Sequence, residues 1–180
     1  MKATEDLKQE HEGILLMLNI MEQISAMNEP NIVHLAQIID FIKTFADKCH
    51  HGKKEDLFFP KLIEKGIRKE NGPIGVMLSE HEQGRKYIKD LSISFEIYKN
   101  GDKSAIAGIK ENLNKYIDLL RNHISKENNV LFNMADKVLS EKEQDSLFEE
   151  FEKIEMERIG AGKHEEYHQL LKLLKKEYLP

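Results

Sequence analysis

One cysteine, no tryptophan and four prolines occur among the 180 residues, and each shortage excludes something. A lone thiol, Cys49, forms no internal disulfide, which suits a reducing cytoplasm. It also leaves no thiolate cluster for an Fe–S centre or a cysteine-type structural zinc site. No stretch approaches the roughly 20 apolar residues that span a bilayer. The opening residues, Met1 to Gly13, lack a positive segment followed by an apolar run. The expectation is a soluble cytoplasmic protein with no membrane partner. A net charge of -5 and a pI near 5.9 argue against general nucleic-acid binding, so no nucleic-acid partner is expected. Strand-like alternation, strict repeats and low-complexity segments are also missing.

What remains is helical periodicity. Asn28-Glu29-Pro30-Asn31, Asn71-Gly72-Pro73 and Asn100-Gly101-Asp102 punctuate the chain. They predict four long helices at about 4–27, 32–65, 73–99 and 103–138, a fifth at about 140–159, and a last piece beyond Gly160-Ala161-Gly162. The class is all-α. Short connections make neighbours antiparallel, giving an up-down four-helix bundle over 1–139 with a C-terminal helical extension over 140–180 packed on it.

Four of these helices carry histidine in an apolar stripe. Leu7, His11, Ile14, Leu18 and Met21 recur at intervals of four and three, as do Ile74, Met77, His81, Gly84, Ile88, Leu91 and Phe95. The fourth helix runs Ile109, Leu113, Tyr116, Leu120, His123, Glu127, Val130 and Met134, so an imidazole and a carboxylate share its inner face. A buried carboxylate neutralises itself or finds a partner, and a divalent or trivalent cation fits that need.

Counting residues from each turn sets His11 level with His50 and His81 level with His123. His50 and His81 lie at unequal distances from the second turn, so residues 66–72 would have to climb alongside the bundle. The second helix offers two registers. His50 shares its side with Ile42, Ala46 and Leu57, and one turn later stands Lys54, which cannot ligate while charged. His51 has Glu55 one turn on and shares its side with Asp47, Phe58 and Leu62. The reading takes His50 as first ligand, with Glu55 reaching in and His51 either a second ligand or a hydrogen-bonding neighbour. His164 and His168 lie one turn apart in the last piece, and His164 is a further candidate ligand or lid.

The segments Glu80-His81-Glu82, His50-His51-Gly52-Lys53-Lys54-Glu55-Asp56-Leu57-Phe58-Phe59-Pro60 and His123-Ile124-Ser125-Lys126-Glu127-Asn128-Asn129-Val130-Leu131-Phe132 resemble the hemerythrin-like, or HHE cation-binding, family. Within that family they look like the di-iron domain of iron–sulfur cluster repair proteins. It implies an antiparallel four-helix bundle around a non-haem di-iron centre, with His11, His50, His81, His123 and Glu127 at ligand positions. Lys54 stands where that family usually has a bridging glutamate. Either Glu55 substitutes, or the site holds one metal or binds it differently. The resemblance takes in no counterpart of the cysteine-bearing domain of the repair proteins.

Imidazole and carboxylate donors suit iron, manganese or zinc, and the resemblance selects iron. The expected function is to bind, sense or reduce a small ligand: oxygen, nitric oxide or peroxide. The alternatives are an iron donor or repair factor for damaged iron centres, and a metal-free helical module that dimerises or docks a partner. Turnover and reversible binding both stay open, as do a redox partner and a homodimer.

Overall fold

Local signals start and stop each helix in the computed structural model, which describes residues 1–180 and contains no strand. Helix α1, Ala3–Ser25, opens where the Lys2 N–H donates to Glu5 Oε2 at 3.0 Å. Helix α2 begins at Asn31, whose Oδ1 accepts from the His34 N–H at 3.1 Å, and runs through residues 32–64. It does not keep one pitch. Ile32–Phe41 and Phe59–Glu64 are α-helical, whereas Ile42–His51 and Lys54–Phe58 are π-helical.

Helix α3, Pro73–Lys99, has proline in its first turn, where no backbone donor is lost. The connection before it turns through Asn71 at φ 52° and then Gly72, where a Cβ would lie 2.4 Å from the Arg68 carbonyl oxygen. Its Ile67 is buried and donates its N–H to the Leu62 carbonyl at 2.9 Å, so this stretch folds back onto the end of α2. Helix α4, residues 106–138, follows a short 3-10 turn, Lys103–Ala105, and includes a π-helical turn at Glu127–Leu131. Helices α5, Glu141–Arg158, and α6, Lys163–Tyr178, are separated by left-handed Gly160 and Gly162.

Apolar side chains form two cores with a polar layer between them. One core takes Ile14 and Leu18 from α1, Ile38 and Phe41 from α2, Leu91 and Phe95 from α3, and Leu113 and Leu120 from α4. The other takes Leu7, then Phe58 and Leu62, then Ile74 and Met77, then Leu131 and Phe132. The order in which each helix crosses from core to core alternates, which is the signature of up-down antiparallel packing. Helix α6 adds Tyr167, Leu171 and Leu174 to the first core, and α5 adds Leu147 and Phe151 to the second.

One stripe departs from its expected course. Val130 is 53% exposed and Met134 only half-buried, while Leu131 and Ala135 are buried. The π turn after Lys126 adds a residue to the helical repeat, so the inner face slips by one position beyond Glu127.

Candidate metal centre

The crossing points of α1 to α4 between the two cores carry the histidines. His11, His50, His51, His81 and His123 are each 1–4% exposed, and Glu127 is fully buried. Two triads result: His11, His50 and Glu127 in one, His51, His81 and His123 in the other, with the ligand atoms of each within 4.8 Å of one another.

The π pitch of α2 explains how both members of the His50–His51 pair contribute. Hydrogen bonding from i to i+5 turns successive side chains through less than the roughly 100° of an α-helix, so neighbours can share one inward sector. The ring centroids of His11 and His50 are 4.8 Å apart, and His51 stacks on His81 at 3.9 Å. The mismatch anticipated between His50 and His81 is met by His51, the neighbour that reaches α3.

Each imidazole is held from behind. His50 donates its Nδ1–H to Glu10 Oε2 at 2.7 Å, His81 to Glu55 Oε1 at 2.8 Å, and His123 to Glu80 Oε1 at 3.1 Å. His51 donates to Asp47 Oδ1 at 3.2 Å and His11 to Asn128 Oδ1 at 2.7 Å. An acceptor at every Nδ1 fixes the tautomer, so every Nε2 presents a lone pair to the interior. Lys53 and Arg85 brace three of these acceptors in turn, Lys53 pairing with Glu10 and also with Asp6, Arg85 with Asp47 and Glu55.

The inward atoms are short of protons. Nε2 of His11, His50 and His51 have no hydrogen-bond partner. His11 Nε2 faces Glu127 Oε2 at 3.1 Å, and the Nε2 atoms of His81 and His123 face each other at 3.2 Å. Lone pairs pointed at lone pairs in a buried layer call for a cation between them. The donor set passes that test for a nitrogen- and oxygen-ligated metal ion.

Lys54 supplies one cation of its own. Its Nζ donates to both oxygens of Glu127, at 2.9 and 2.8 Å, and lies 3.4 Å from His123 Nε2; the side chain is fully buried. Burial alone would raise the Glu127 carboxyl, but Lys54 and His123 beside it overcome that and hold it well below the usual range. Burial lowers Lys54 against the opposing pull of Glu127. Burial, with Lys54 next, also pushes His50 and His51 well below ordinary histidine, which keeps both rings neutral and free to ligate.

Two candidates from the sequence sit elsewhere. Glu55 lies behind His81 and contacts Arg85, outside both triads. His164 pairs with Glu155 of α5, with its ring 5.4 Å from Phe45 and 4.8 Å from His168. The supporting groups Glu10, Asp47, Glu80 and Asn128 were not singled out as ligand supports. The signal was present: Glu10 and Glu80 each precede a striped histidine, and Asn128 follows Glu127.

A groove of about 600 Å³ between α2 and α3, lined by Ile42, Gly84, Ile88 and Tyr116, leads down to His51 and His81. No helix is long and apolar enough to cross a membrane.

Comparison with known proteins agrees with this geometry. The family model for the hemerythrin HHE cation binding domain matches residues 2–135. An uncharacterized protein of Mycobacterium tuberculosis is 25% identical over 165 residues, covering 89% of this chain and 64% of the relative. Iron-sulfur cluster repair protein YtfE of Salmonella typhimurium is 36% identical over 92 residues, covering 48% of this chain and 40% of that protein. The chain thus spans less than two thirds of the length of either relative.

Proposed function

This chain belongs to the hemerythrin HHE cation-binding family, and we propose that it is a non-haem iron protein that binds, senses or reduces a small ligand such as oxygen, nitric oxide or hydrogen peroxide. The observation that carries this reading is the set of buried, partnerless Nε2 lone pairs gathered around one inward carboxylate. Two sets are candidates to hold metal, His11, His50 and Glu127 in one and His51, His81 and His123 in the other. Glu55 is assigned to orient His81, not to ligate, and His164 to pair with Glu155 in the cover. Residues 1–139 form the metal-holding bundle, and 140–180 the helices packed on it.

Iron bound here would supply an open coordination position and a change of oxidation state. The protein's own share is positional. Outer acceptors keep the imidazoles neutral and aimed inward, Phe59 and Phe132 stack on His81 and His11 to exclude water, and Lys54 offers a hydrogen-bond donor at the centre. Only a small ligand fits among side chains this closely packed, and the groove at His51 and His81 gives it an approach.

The similarity to an iron-sulfur cluster repair protein favours a second reading, delivery of iron to damaged iron centres. Anaerobic loading with ferrous iron, then exposure to nitric oxide or peroxide with and without a reductant, separates the readings. Optical change without consumption indicates a carrier or sensor, and sustained consumption indicates an enzyme. Iron transfer to a cluster-deficient acceptor indicates a donor. Failure to retain iron, manganese or zinc after reconstitution would leave a metal-free helical module.

A further inference from the structure

We propose that Lys54 takes the place of a second metal, so that the centre holds a single ion, ligated by His11, His50 and Glu127. This deepens the metal-binding reading and rests on it.

The argument begins with charge. Of the carboxylates around the centre, Glu10, Asp47, Glu55 and Glu80 are all spent on Nδ1 atoms at the backs of the rings. Glu127 alone points inward, and both its oxygens already accept from the Lys54 ammonium. Two divalent ions placed beside that ammonium would share one negative charge in a buried site. A buried ion is tolerated only where opposite charge and hydrogen bonds offset its lost hydration. One ion, one ammonium and one carboxylate come closer to balance than two ions can.

Lys54 touches both sets, and the placement of the one inward carboxylate decides which triad keeps its metal. Lys54 Nζ lies against His123, a member of the trihistidine set, and donates toward its Nε2. His11 and His50 receive no such donor, and their Nε2 atoms are unpartnered, as is that of His51 in the other set. The trihistidine set brings no negative charge of its own, so an ion there would meet the ammonium across His123 with no carboxylate among its ligands to offset it. The other set is two imidazoles and a carboxylate, which is the ligand composition of non-haem ferrous sites that keep positions open. His11 Nε2 and Glu127 Oε2, facing each other at 3.1 Å, mark where that ion belongs. Lys54 donates to both oxygens of the same carboxylate and aims it.

The test is stoichiometry with localisation. Purified full-length protein is loaded anaerobically with excess ferrous iron, desalted, and its iron per chain measured by elemental analysis. About one iron per chain is expected, and after oxidation the electron paramagnetic resonance signal of an isolated high-spin ferric ion, which a coupled pair would not give. Two irons per chain, or a coupled, silent oxidised form, would overturn the single-ion proposal while leaving the metal-binding reading intact. No retained metal would overturn both. Among variants, His11→Ala is expected to lose the iron and His81→Ala to keep it; the reverse result refutes the assignment. Lys54→Glu supplies a second inward carboxylate and is expected to raise loading toward two, whereas folded Lys54→Glu that still loads one ion counts against Lys54 as the excluding group. Circular dichroism establishes that each variant is folded before loading.

Discussion

Lys54 and Glu127 form a fully buried ion pair, and such pairs are more costly to break than to omit. In metal-free protein, Lys54→Met strands the carboxylate, and a loss of about 3–5 kcal/mol is expected from denaturant unfolding. Adding metal should recover part of that loss, since the ion then partners Glu127. An unchanged midpoint in the metal-free variant would mean that the pair is not formed. Asp6 gives a pH-dependent counterpart. Burial, with Glu10 next, pushes its carboxyl up to about 6 from 3.8 despite the neighbouring Lys53. A raised folded value means that the folded chain holds the proton longer. The associated stability is therefore complete below about pH 4 and is lost as pH rises through 6. Relative to Asp6→Asn, the native protein should lose roughly 1–3 kcal/mol between pH 4 and 7. Parallel pH profiles for the two proteins would refute this. Much at this scale was legible from stripes, because a histidine in line with leucines must face inward. Lys54 was legible as a charged misfit but not as a partner of Glu127, which is 73 residues away in sequence.

At the scale of elements, the sequence located the helices well because their ends are marked by chemistry that acts locally: Asn31 as a cap, Gly72-Pro73 as a start, Gly101 as a stop. Pitch is not so marked. Nothing in residues 42–58 announces a π-helix, so a 3.6-residue period sets His50 and His51 on different faces, whereas the fold buries both rings. The same cause moved the inner face of α4 from Val130 to Leu131. The seating of α5 is also a tertiary matter. Its Gln144 is buried, accepts the Thr4 N–H at 3.2 Å and donates to Asp136 Oδ1 at 2.8 Å, tying the start of α1 to the end of α4. Gln144→Ala leaves that N–H without a partner, and a cost of about 1–3 kcal/mol is expected, with faster exchange in the first turn of α1. Exchange confined to α5 would instead indicate that the glutamine serves its own helix only.

Across the whole molecule, the polar layer interrupts what would otherwise be one continuous core, and no pair of helices closes it alone. The two apolar cores are held in register by α5 and α6 on the outside and by the histidine layer on the inside. A bound ion adds cross-links that the unfolded chain cannot make, so it stabilises by about 2.7 kcal/mol when free metal is a hundredfold above its dissociation constant. At about 2–4 °C per kcal/mol for a chain of this size, the melting temperature should rise by roughly 5–10 °C on loading and fall again with a chelator. The distribution of the effect is the sharper test. Amide exchange should slow around His11, His50 and Glu127 on α1, α2 and α4 together, while α5 and α6, whose His164 is committed to Glu155, change little. Protection arising mainly in α5 and α6 would place the metal at the cover near His164 and not between the cores. His164→Ala, expected to leave both loading and melting shift intact, provides the independent check on that outcome.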